Sequence, residues 1–148
     1  CGCGGTGHWE AFCSGENIPE YARAVHSRED LETALPLDDD GFDAAAVFEA
    51  AGVDPLADRV LDRVAHWNSH GIATLVHAYA PITLSVGGSV ALNNPELVLD
   101  PVRERLPELV VSNVPELRLT EYGDDIVVKG AVASAMTGGT GDRGRIRR

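Results

Sequence analysis

Lysine is almost missing from this chain: of its 12 basic residues, only Lys129 is a lysine and the rest are arginines. Against 23 carboxylates this gives a formal net charge of −11. Such a surface repels the phosphates of DNA and RNA, so nucleic acid is not an expected partner. Acidic excess with arginine as nearly the sole cation resembles the surfaces of proteins from salt-loving organisms, where salt screens the self-repulsion. A moderately acidic protein from a GC-rich genome has the same composition. No apolar run approaches the length of a membrane span, and nothing in these residues points to a membrane or to secretion, so the expected location is cytoplasmic. Cysteine is scarce as well. The three residues, Cys1, Cys3 and Cys13, crowd into the first thirteen positions, an odd number at metal-ligand spacing that fits a reducing compartment better than a disulfide framework.

What is present suffices for one globular unit: 148 residues, 44% of them hydrophobic, can bury a core of ordinary size. The chemistry concentrates at the start. Cys1 and Cys3 stand one residue apart, His8 follows across a glycine-rich loop, and Glu10 comes two residues later. Two thiols and an imidazole are ligands that suit zinc, and the glycines allow the positive φ angles a tight knuckle needs. A glycine-rich loop with a chance Cys/His cluster reads the same way, and a fourth ligand is missing. Cys13, in the apolar run after the loop, reads as a small buried hydrophobe. His26, His66, His70 and His77 fall in helical segments, where packing or solvation accounts for them.

Further along, Pro19 opens a helix to about His26, and Arg28 to Leu35 is expected to form another. Asp38-Asp39-Asp40-Gly41 lacks the ligand spacing of a calcium loop and reads as a solvated acidic turn. Phe42 to Ala51 is a helix ending at Gly52. Asp54-Pro55 caps the longest helix, whose apolar residues recur at spacings of three and four from Leu56 to Tyr79. Gly71 interrupts that face and predicts either a kink or a closely packed neighbouring backbone. Ile82 to Val86 is a strand running into Gly87-Gly88-Ser89, a turn that either cradles a nucleotide or merely bends the chain. Asn93-Asn94-Pro95 caps a helix to about Leu109, with a second segment starting at Asp100-Pro101 as the alternative to one continuous helix. Glu116 to Thr120 is a strand, and the last helix starts at Gly123-Asp124-Asp125 with small residues that suit packing on a sheet. From Gly138 the chain turns glycine-rich and basic, the composition of a flexible tail at 138–148. The element order predicts an α/β lobe.

Cys1 to Gly15 reads C-G-C-G-G-T-G-H-W-E-A-F-C-S-G. It closely resembles the zinc loop of the ROK family of sugar kinases and sugar-responsive repressors, usually C-x-C-G-x-x-G-C-L-E-A-x-x-S-G. The resemblance continues through Gly87-Gly88-Ser89 and Lys129 to Ala135. It implies the C-terminal lobe of an actin-like (ribonuclease H-like) ATPase fold over residues 1–137. It further implies a zinc held by Cys1, Cys3, His8 and a histidine upstream of this chain, with His8 replacing the customary third cysteine. Glu10 matches the glutamate that accepts hydrogen bonds from sugar hydroxyls, and Gly87, Gly88 and Ser89 match the adenosine motif at 86–90. The implied activity is ATP- and magnesium-dependent phosphorylation of a hexose, glucose first among them, in a homodimer or homotetramer. No catalytic residue falls in this chain; the base and first phosphate hairpin are expected upstream, so the isolated fragment should be inactive. The alternatives are a sugar-responsive transcriptional repressor and a structural zinc domain without catalysis.

Overall fold

A computed structural model describes residues 1–139, except the side chain of Asp124. The basic tail expected at 138–148 therefore lies outside the described residues beyond Gly139. The chain folds as α1 (Glu10–Cys13), α2 (Ile18–Glu29), α3 (Ala44–Glu49), α4 (Pro55–Tyr79), β1 (Thr83–Val86), α5 (Ser89–Asn93), α6 (Pro95–Leu109), β2 (Glu116–Leu119), a 3₁₀ turn at Gly123–Asp125 and α7 (Ile126–Thr137). No described helix is long and apolar enough to cross a membrane.

The α4 helix organises the rest. Asp54 caps it by accepting from the Ala57 N–H, with Pro55 in the first turn, and its buried side chains run along nearly its whole length. Leu56, Ala57, Val60 and Val64 pack with Ile18, Ala22 and Val25 of α2 and with Val47 and Phe48 of α3 in one core. Ile72, Ala73 and Val76 pack with Val102 and Leu106 of α6 and Leu117 of β2 in a second. Leu56, Val60, Val76, Val102 and Leu106 are all 0% exposed, and full burial of such a side chain contributes about 1.5–3 kcal/mol. β1 and β2 pair in parallel, Thr83 against Glu116 and Val86 against Leu119, and α5 and α6 form the crossover that parallel strands require.

Three expectations are corrected, and one is met. Arg28 to Leu35 is not a helix: Asp30 takes a left-handed conformation (φ 46°) that closes α2 with its N–H on the His26 carbonyl. The Thr33 hydroxyl and the Ala34 N–H (2.7 Å) then donate to the buried Asp54 carboxylate. A capping group on α4 holds this segment as a loop. The helix expected to run past Pro101 to about Leu109 does so as α6, with Pro107 inside it as well; its buried stripe of Val98, Leu99, Val102 and Leu106 offsets the roughly 3 kcal/mol that an interior proline costs. Secondly, what packs closely on Gly71 is a side chain and not a backbone, as the site shows below. Finally, α7 does not lie against the sheet. It leaves from the Gly123 turn (φ 60°), and Val127, Val128, Val132 and Met136 are more than half exposed.

Candidate functional site

The first nine residues make a knuckle whose ligand atoms converge. Gly4 and Gly7 take φ angles of 82° and 71°, and the Gly4 N–H closes a turn on the Cys1 carbonyl. Gly5 makes room for the imidazole: a Cβ there would stand 2.5 Å from His8 Cε1. As a result Cys1 Sγ lies 3.4 Å from Cys3 Sγ, which lies 3.2 Å from His8 Nδ1, and one donor atom from each residue falls within 4.8 Å of the others. Zn–S bonds of about 2.3 Å and Zn–N bonds of about 2.1 Å at tetrahedral angles span edges of about 3.6–3.8 Å. The three donors fit zinc after parting by a few tenths of an ångström. The Gly5 N–H also points at Cys3 Sγ (3.4 Å), a contact that stabilises a thiolate.

Glu10 opens α1 directly after the knuckle, and its Oε2 accepts from the Cys1 thiol at 3.2 Å. The carboxylate thus faces the ligand cluster. Cys13 has a different character: its thiol donates to the Val64 carbonyl (3.7 Å), and burial pushes its pKa up to about 12. It is a packed thiol, as its apolar neighbours imply. The His66 and His70 rings touch at a tilt, their centroids 4.4 Å apart, and His66 meets Trp67 edge-on, an aromatic surface on α4.

The knuckle is seated on α4 by a residue that spacing arguments passed over. Trp9 Nε1 donates to Asn68 Oδ1 at 2.8 Å, and its ring lies on Gly71, where a Cβ would come within 2.5 Å of Trp9 Cδ2. The glycine inside the longest helix is therefore a seat for an indole. The signal was legible as a pair, a glycine on a helix face and a tryptophan next to a ligand, but no sequence spacing links residues so far apart.

The second motif lies across a cavity from the first. β1 ends at Val86, Gly88 takes φ 96°, and α5 starts at Ser89. Gly87 is close-fitted, a Cβ there standing 3.0 Å from Thr120 Cγ2, whereas a Cβ on Gly88 would meet nothing within 4 Å. Gly87, Gly88 and Ser89 are exposed and line a cavity of about 450 Å³ together with Trp9, Ser14, Gly15, Asn68, Ile72 and Leu75. The two motifs are not remote from each other: a Cβ on Gly15 would sit 3.1 Å from Val90 Cγ2.

This arrangement has counterparts. The glucokinase of Pyrobaculum calidifontis is 36% identical over 137 residues, covering 91% of this chain and 42% of that protein. Among solved structures, a ROK family glucokinase from Streptomyces griseus in complex with glucose and AMPPNP superposes with a TM-score of 0.70 at 28% identity, over 84% of this chain and 43% of that one. A ROK family transcriptional regulator homologous to the E. coli MLC protein shares the fold (TM-score 0.59, 21% identity, 80% of this chain and 30% of that one). The chain thus spans less than half the length of the relatives it matches. With the ROK family model matching residues 1–137, the knuckle, the helix that seats it and the glycine turn all fall within one homologous stretch, and the chain belongs to the ROK family.

Proposed function

We propose that these residues form the sugar- and adenosine-side lobe of an ATP-dependent hexose kinase that converts glucose to glucose 6-phosphate. The observation that carries this reading is the shared cavity: Trp9 and Cys13-Ser14-Gly15, which flank Glu10 in the chain, line one wall, and the exposed Gly87-Gly88-Ser89 turn lines another. Cys1, Cys3 and His8 would hold zinc, with a fourth ligand from the rest of the protein. Zinc there supplies rigidity, fixing the loop from which Glu10 projects. With Cys1 serving as a ligand, its thiol would no longer donate to Glu10 Oε2, and that carboxylate would be free to accept from two sugar hydroxyls and orient the reacting one. The open space over Gly88 lets an adenosine lie against the backbone, with magnesium on the phosphates. Phosphoryl transfer depends on such positioning and on charge neutralisation more than on covalent chemistry; the base belongs to the remainder of the protein, which works as a homodimer or homotetramer in the cytoplasm.

The regulator relative supports only a shared fold, and the net charge of −11 favours a kinase over a DNA-bound repressor. The deciding experiment is steady-state kinetics of the complete protein. Glu10→Gln is expected to raise the glucose KM at least tenfold and leave the ATP KM within twofold, because a lost charged hydrogen bond is worth about 1.5–3 kcal/mol. Equal losses for both substrates would contradict the assignment, and absence of glucose-dependent ATP turnover in the complete wild-type protein would remove the kinase reading.

A further inference from the structure

We infer that Trp9 is a positioning residue: through its hydrogen bond to Asn68 and its seat on Gly71 it fixes His8 and Glu10, its two chain neighbours, relative to α4. The inference deepens the proposed function and rests on it for the role of Glu10, but the docking itself is independent of any activity.

The geometry makes Trp9 the tie to α4 that stands directly between the ligand His8 and the carboxylate Glu10. Contacts inside the knuckle run among Cys1, Cys3, Gly5, His8 and Glu10, so they give it internal shape without fixing it to the rest of the fold. α1 behind it is one turn long, and its own ties, the Phe12 ring stacked on Trp67 and the Cys13 thiol on the Val64 carbonyl, lie on the far side of Glu10 from the ligands. Trp9 supplies what is missing. Its N–H meets Asn68 at 2.8 Å, which fixes rotation of the indole, and the ring fills the space that only a glycine leaves at position 71. One residue before Trp9 stands a ligand and one residue after it a carboxylate, so a tilt of the indole moves both. Trp9 also borders the cavity shared with the glycine turn, so a loosened indole alters the wall a sugar would meet.

The test uses the complete protein and three substitutions. Trp9→Phe keeps a ring on Gly71 and removes the donor; Asn68→Ala removes the acceptor; Asn68→Asp retains an acceptor oxygen. Two readouts are independent of catalysis: amide hydrogen exchange of residues 1–13 and the rate at which a chromogenic chelator strips zinc. A third is the split between glucose KM and ATP KM. Trp9→Phe and Asn68→Ala are expected to speed exchange and zinc loss about fivefold, the loss of one neutral hydrogen bond. They should raise the glucose KM by a similar factor with the ATP KM unchanged. The double variant should be no worse than either single one, and Asn68→Asp should behave like wild type. Gly71→Ala, which displaces the ring but spares both hydrogen-bonding groups, should reproduce the same pattern. Unchanged exchange in Trp9→Phe and Asn68→Ala overturns the inference, whatever the metal content. Faster exchange with an unchanged glucose KM upholds the docking and overturns the sugar role of Glu10 instead.

Discussion

Replacing Asp54 by asparagine separates two jobs that one carboxylate performs. Oδ1 accepts from the Ala57 N–H at 2.9 Å and caps α4, while Oδ2 accepts from the Ala34 N–H at 2.7 Å, with the Thr33 hydroxyl within 3.0 Å of both oxygens. Asparagine keeps one acceptor, so the cap survives, but it turns an amide NH₂ toward the Ala34 N–H. An opposed or unsatisfied buried donor costs about 1–3 kcal/mol. Asp54→Ala forfeits the cap as well, adding about 1 kcal/mol. Asp54 is 5% exposed, so water does not readily replace what is lost. Burial alone would raise its pKa, but the hydrogen bonds from Ala57, Ala34 and Thr33 outweigh it and hold the group below its ordinary 3.8. A carboxyl whose pKa is depressed on folding stabilises the native state above its unfolded pKa and loses that contribution as the pH falls through the folded value. Urea unfolding followed from neutral pH downward should therefore show asparagine costing less than alanine at pH 7, with the wild-type advantage over asparagine shrinking below pH 3.8. The reasoning fails if both variants stay within about 0.5 kcal/mol of wild type, the range of ordinary surface changes, or if the asparagine penalty does not depend on pH.

One zinc per chain is expected in the complete protein, and Cys3→Ser should lower both its zinc content and its melting temperature, since structural zinc contributes folding free energy; metal analysis reading near zero in the wild type would refute this. With 23 carboxylates against 12 basic residues, the melting temperature should rise with molar potassium chloride as screening relieves repulsion, and a flat or falling curve would contradict the salt-adapted reading. Gly88→Val puts a β-branched residue at φ 96° and fills the space above the turn, so nucleotide binding should weaken while zinc and sugar are retained; joint loss of all three would mean that the glycine serves only to make the turn.

Much of the scaffold was legible because local signals agreed with the tertiary ones. Asp54-Pro55, apolar periodicity to Tyr79 and the proline after it marked α4, and β-branched residues bounded by Pro81 and Gly87 marked β1. The failures share a cause: a distant partner decided the local conformation. Arg28 to Leu35 has helical composition, yet the α4 cap captures Thr33 and Ala34. Gly71 has no local partner on its helix face; what packs on it is the Trp9 ring from near the start of the chain. For the site, the Cys1, Cys3 and His8 cluster could be read from spacing alone, since seven residues of glycine-rich loop leave few ways to fold. Its orientation could not, because that depends on Asn68 and Gly71, some sixty residues further on.

α4 extends for 25 residues, about 37 Å at 1.5 Å per residue. Asn68 and Gly71 grip the knuckle, while Ile72 and Leu75, on the turn that follows, face the glycine-turn cavity. The knuckle side of the cavity is thereby bolted to one stiff rod that also runs through both cores. On the proposed kinase reading, a shift of that rod would carry the sugar-side wall with it as a unit, so movement of the lobe, more than flexing of its loops, would set the distance over which a phosphoryl group passes.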